Sequence, residues 1–451
     1  MADMKLLYEL NNVDRRNPVE ILKVIVRRYP EMEWLTGSVQ ASPELGEYRL
    51  DGKTLGEIFY PHLDEKSLIE FNRTAVGILS FVWAFYGMYE EFTACQKPKD
   101  RLTPESFNKL VTFARVIAHF PEAFEAIIVY MVINDLGKIQ SVVDRIAMST
   151  GVRDVDHDKV LRIGLELHPE ISPSFQSLWP MFQHQILTGL QADFNLGQFV
   201  QGENVAASLE GISRMNREAR DMFLLHALFD TAGARGQSVQ NGSVVMNEDT
   251  YRNFQLAINV LGNEGSENPG NLYSRYIELR TNQLRLRDYK YPSYVVFGVA
   301  RLCCMLRISK PEDAKLVRNA FVSLPIHVQQ LLDSELIVTG TSVSHAILIY
   351  YAPAFLVNLI KKMGAEPGTQ AYTDALTLGF TTLARVFQEA RTAIKDRQGP
   401  GVYTVMALSL ANFAGESPEL LNHMNFVLKP VGNDAEIVLE PSKAITPVPA
   451  S

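Results

Sequence analysis

The stretch Ala126-Ile-Ile-Val-Tyr-Met-Val-Ile-Asn-Asp-Leu-Gly-Lys138 decides how this chain is read. An unbroken apolar run of helical character ends in the polar doublet Asn134-Asp135, followed by Gly137 and Lys138. A carboxylate delivered by the end of a buried helix is costly unless something cationic meets it. A metal ion, a basic side chain or a helix N-terminus would serve. Downstream lie Asp156-His157-Asp158, His168, His184, and His226 with Asp230. These are nitrogen and oxygen donors of the usual metal-ligand kind, with no thiolate needed. The expectation is that Asp135 anchors a metal site built from helices.

Working outward, the 451-residue chain has room for two or three average domains or one large helical one. A hydrophobic share of 47% against 21% charged residues supports a sizeable core and argues against global disorder. The net charge of −8 argues against a dedicated nucleic-acid coat, which needs clustered cations. Three cysteines, two of them adjacent (Cys303-Cys304), are too few for a disulfide framework and suit a reducing compartment. The N-terminus carries charges where a signal peptide needs an apolar run. The apolar runs Thr74–Tyr89, Ala123–Ile133 and Ala346–Ile360 each fall short of the roughly 20 residues of a spanning helix. The chain therefore reads as cytoplasmic, without a membrane span.

Helical patterning dominates. Asn17-Pro18 and Thr103-Pro104-Glu105 each place a cap before a proline at the first helical position. The spacing predicts helices over 64–96, after Thr103, after Pro121, over 139–147 up to Gly151, over 154–167, 174–196 and 203–232. Others are predicted over 293–307, 311–336, 342–363, 370–396 and 402–413. Phe426–Leu439, around Gly432-Asn433-Asp434, alternates like a hairpin. The predicted fold is mainly α: a multi-helix bundle with additional N- and C-terminal helices and a small C-terminal hairpin. It divides as 1–100 (N-terminal helical region), 101–300 (core with the candidate site), 301–425 (C-terminal helices packed on the core) and 426–451 (hairpin and frayed tail).

The string Asn134-Asp135-Leu136-Gly137-Lys138 resembles the His-Asp-(Leu/Ile)-Gly-Lys signature of the HD superfamily, which comprises all-helical metal-dependent phosphohydrolases and diiron oxygenase relatives. At a helix end, successive residues can be turned onto one ion; glycine permits a sharp exit and lysine can meet a phosphate. The resemblance, covering about residues 105–235, implies an ordered ligand set. His157 lies 22 residues after Asp135, His184 lies 49 after and Asp230 lies 95 after. His119, 16 residues before Asp135, stands for the family's opening histidine. The departure is Asn134, where the family has histidine; an amide oxygen is a weaker, uncharged donor. Three arrangements follow: one metal held by His119, Asp135 and Asp230 with His157 or His184; a reshaped dinuclear site using Asp156 or Asp158; or a fold without metal.

On this reading the protein is a metal-dependent hydrolase of a phosphoester or related anionic small molecule. Asp135, His157, His184 and Asp230 would hold a divalent Fe, Mn, Zn or Mg ion that activates water. Lys138, and Arg235 in the glycine-rich loop after Asp230, would neutralise phosphoryl oxygens. The alternatives are an HD-type iron-dependent oxygenase and a non-catalytic helical scaffold. His226 and Asp230, four apart, share a helix face as ligands or as a structural pair. The Arg/Tyr segment 273–290 reads as a solvated face or as the lining of an anionic or base-stacking pocket, and Cys303-Cys304 as core. Walker A, Gly-x-Gly-x-x-Gly, Gly-x-Ser-x-Gly and His-Glu-x-x-His are absent, which removes the main support for P-loop, nicotinamide, serine-hydrolase and zincin chemistry.

Overall fold

The computed structural model describes residues 5–37, 52–152, 157–238, 241–262, 267–288, 292–342 and 344–442. The fold is mainly α with one small sheet. The chain forms two compact units. The first is Met1–Leu196 with Arg214–Glu264, and the second is Gly197–Ser213 with Gly265–Ser451. The segment 101–300 is thus shared between them.

In the first unit, α1 (Ile69–Tyr86), α2 (Pro121–Ile133), α3 (His157–Leu167), α4 (Pro180–Gln191) and α5 (Arg217–Gly233) carry the core. Phe81 meets Phe124 at 5.0 Å between ring centroids and Phe229 at 5.3 Å, joining α1, α2 and α5. Such aromatic pairs add about 1 kcal/mol each beyond the area they bury. The predicted caps form: Asn17 accepts from the Val19 N–H, and Thr103 from the Ser106 N–H. Gly151 closes the helix Gln140–Thr150 in the left-handed region, where a Cβ would be strained. The segment Lys66–Tyr86, 21 residues, is longer than the apolar run suggested and is long and apolar enough to cross a membrane, yet most of it is buried inside the fold and it carries Glu70 and Arg73.

α1 and α5 approach closely because Gly77 and Gly233 face each other. A Cβ on Gly233 would lie 2.1 Å from the Arg73 carbonyl oxygen and 2.7 Å from the Gly77 nitrogen. This contact sets the polar residues at the start of α1 beside the end of α5.

The second unit corrects two predicted helices. Residues 342–363 split into strand β1 (His345–Tyr350) and α6 (Ala352–Lys362), and 402–413 into β2 (Gly401–Met406) and α8 (Leu408–Glu416). A buried parallel strand is a short continuous apolar run, which periodicity cannot tell from a buried helix. The long helix α7 (Gln370–Ala393) connects them. The hairpin forms as β3 (Met424–Val431) and β4 (Asp434–Pro441), antiparallel, with Val431 opposite Asp434. It is no appendage: the sheet order is β1-β2-β4-β3, and β2 runs parallel to both β1 and β4. The tail from 443 lies outside the described residues.

At the β1–α6 junction Tyr351 is held at φ 75°, and its N–H donates to the buried Glu203 carboxylate. Burial pushes Glu203 up to about 7, against the Tyr351 N–H, Arg307 and Arg301. A carboxyl raised in the folded state binds its proton more tightly there, so stability falls as pH rises from the unfolded value through about 7. Glu203→Gln should remove part of that slope, leaving the variant more stable than wild type by ~1–3 kcal/mol near pH 8. Urea unfolding at about pH 5 and about pH 8 measures the difference.

Candidate functional site

Asn134–Lys138 forms a single 3-10 turn at the end of α2. The tightened turn aims Asp135 and Lys138 the same way, and the Lys138 ammonium lies 2.6 Å from Asp135 Oδ1. The same ammonium is 3.7 Å from Glu70 Oε2, on α1. Arg73, one turn further along α1, reaches Glu70 Oε1 at 3.2 Å. Glu70 and Asp135 are both buried and in hydrogen-bond range of each other. Asn134 lies beside them, its amide 3.3 Å from Asp135 Oδ1.

Gly137 is required here for space, not for a sharp exit. Its φ lies outside the left-handed region, but a Cβ would sit 2.1 Å from the His157 carbonyl oxygen. The start of α3 is therefore pressed onto the turn, which brings His157 and Asp158 to the rim. His157 Nε2 and Asp158 Oδ1 are 3.2 Å apart. α5 supplies His226 and Asp230 from below. The His226 ring stacks on Tyr130 of α2, centroids 3.8 Å apart and planes at 11°. Neither ring nitrogen of His226 has a hydrogen-bond partner among the described residues.

The electrostatics follow from burial and proximity. Burial pushes Asp135 up, but Lys138, Arg73 and the hydrogen bonds from Glu70 and Lys138 outweigh it, holding the group well below the usual carboxylate range. Glu70 is moved the other way, to about 7, by burial and by the charge on Asp135, against Lys138 and Arg73. Glu70 Oε2 is buried with no donor in range, so its surroundings favour the protonated form, which can donate to Asp135. Lys138 is pushed up to about 12: burial opposes its charge, and Asp135 and Glu70 more than restore it. Asp230 is raised by burial and Asp135, against Arg73, Lys138 and His157. Burial drives His226 down to about 3, which keeps it neutral. The centre opens to solvent on one side: the Lys138 side chain is 27% exposed and that of His157 38%, against 5% for Glu70 and Asp135.

Of the expected residues, Asp135, Lys138, His157 and Asp230 come together. Two do not. His119 is exposed at the start of α2, its Nδ1 bonded to the Val116 carbonyl, and the whole 13-residue helix, ~20 Å long, separates it from Asp135. His184 is exposed on the outer face of α4. Arg235 follows α5, half-buried, and Asp156 lies outside the described residues. Glu70, Arg73 and Tyr130 are additions. Glu70-Phe-Asn-Arg73 was legible only as two charges, one helical turn apart, leading into a run otherwise apolar.

The residues present do not fit the metal centre that the resemblance implied. Two expected imidazoles are elsewhere, and Asp135 is already met by Lys138 and Arg73. Among the described residues no three His, Cys, Asp or Glu side chains are grouped to hold an ion.

No curated protein and no solved structure matches the chain. A match to one family runs over residues 29–413, most of the sequence and parts of both units. The chain therefore belongs to DUF6829, a family of unknown function.

Proposed function

We propose that the polar centre of the first unit is an acid–base site for an anionic small molecule, and that hydrolysis of a phosphoester is the reaction it fits best. The observation that carries this reading is the Lys138 ammonium set between Asp135 at 2.6 Å and Glu70 at 3.7 Å. Two carboxyls whose surroundings drive them apart give one site a proton donor and a fixed charge together. A purely structural role is the poorer account, because apolar packing usually replaces a buried ion network at no loss of stability.

In the proposed reaction Lys138 and Arg73 hold the phosphoryl oxygens. Lys138 is the more suitable for first contact because it reaches the open side. Glu70 gives its proton to the leaving oxygen as the P–O bond breaks. The oxygen of water bonds to phosphorus, and the proton that water releases returns to Glu70. The iron-oxygenase alternative needs imidazoles that His119 and His184 do not supply.

The test is hydrolysis of p-nitrophenyl phosphate and its bis ester by the full chain between about pH 5 and about pH 9. Turnover should fall tenfold per pH unit above about 7, as Glu70 loses its proton, and Glu70→Gln should cost about 10²–10⁴-fold in kcat. Equal rates for wild type and Glu70→Gln on both esters would leave the scaffold reading in its place.

A further inference from the structure

We infer that Lys138 and Arg73 act as a built-in replacement for a divalent ion, so that this centre holds its carboxylates together without metal and has no affinity for one until Lys138 is removed. The charge balance of the centre is measurable apart from any turnover.

Asp135 is buried at the end of an apolar helix and needs positive charge beside it. In this chain two unit charges supply it from protein atoms. The Lys138 ammonium lies 2.6 Å from Asp135, and the Arg73 guanidinium lies 3.2 Å from Glu70 while its charge also acts on Asp135. Two carboxyls, Glu70 and Asp135, contact these cations, and the charges of both cations also act on the buried Asp230. An incoming ion would have to displace Lys138 and lose its 2.6 Å contact with Asp135, or sit beside both cations and be repelled by them. The ammonium is tethered one helical turn from Asp135 by the 3-10 turn, so it is present at full occupancy whatever the metal supply. His226 completes the contrast. It is neutral, buried and stacked on Tyr130, a nitrogen donor near Asp135 with no cation to bind.

Replacing the lysine should reverse the preference. Without the ammonium, Glu70 and Asp135 are left as a close pair of buried acids with one guanidinium beside them, and a hard divalent ion is a usual remedy for such a pair.

The experiment is a metal titration of the full chain and of Lys138→Gln, with Lys138→Met as a second variant should the first not fold. Mn2+, Zn2+, Fe2+ and Mg2+ are added singly, with bound metal measured after equilibrium dialysis and Tm measured in parallel. The expected result is substoichiometric metal on wild type and a Tm that neither chelator nor ion moves. The variants should have a lowered Tm that at least one ion raises in a saturable way. Stoichiometric metal on wild type that is lost in Asp135→Asn would overturn the inference. So would variants whose Tm no ion raises, because ammonium and ion would then not be interchangeable.

Discussion

Asp135→Ala should destabilise the first unit by about 3–5 kcal/mol, because it strands Lys138 and Arg73 beside a buried Glu70. For a unit of this size that is a fall in Tm of roughly 10 °C. Asp135→Asn keeps an acceptor for Lys138 and should lose clearly less. The pH dependence distinguishes this from the loss of a packing contact. Asp135 is held below its unfolded value, so its contribution is fully present above about pH 4 and disappears as pH falls through the folded value. The gap between wild type and Asp135→Ala should therefore narrow in acid. Calorimetry of both variants at about pH 7 and about pH 3 measures it, and a Tm for Asp135→Ala within about 1 °C of wild type at pH 7 would refute the buried ion network.

Gly137→Ala should be among the costliest single methyls at the described glycines, alongside Gly233 and Gly236, whose Cβ atoms would also meet backbone at 2.1 Å. The new Cβ would meet backbone, the His157 carbonyl oxygen at 2.1 Å and its carbon at 2.8 Å, and not the yielding end of a side chain. Relief requires α3 to move off the turn, at about 3 kcal/mol or more, the upper end of what overpacking costs. His157 and Asp158 would move with it, and any hydrolysis that depends on the rim should drop by more than about tenfold. Gly415→Ala is the control. Its Cβ would have only ordinary contacts, the nearest at 3.8 Å to Asn358, and the helix favours alanine there by up to about 1 kcal/mol. Urea unfolding of both variants gives the comparison directly.

The helical character of the chain was legible residue by residue. Asn17, Thr103 and Gly151 signal their helix ends through local hydrogen bonds and local backbone geometry, and all three do so in the structure. The turn at Gly432-Asn433 was legible for the same reason. His345–Tyr350 was not, since a strand buried on both faces differs from a buried helix only in what pairs with its backbone, and Gly401–Met406, buried only at Tyr403 and Val405, is too short for its alternation to stand out. In the candidate site, Asp135 and Lys138 were legible because four positions of chain place them together. Order along the chain brought in His157 and Asp230, which lie by the turn, but also His119 and His184, which the geometry puts in solvent.

What the sequence determined by itself was therefore the class of fold, the helix ends, and a charged turn closing an apolar helix. What only the tertiary structure decided was the partner of that charge. Glu70 and Arg73 reach Asp135 where Gly77 and Gly233 let two helices close to backbone contact, nearly 60 residues before the turn in one case and nearly 100 after it in the other. Charge balance in a core is a property of distance in space, and a buried carboxylate written in sequence carries no mark of whether a metal ion or a lysine will answer it.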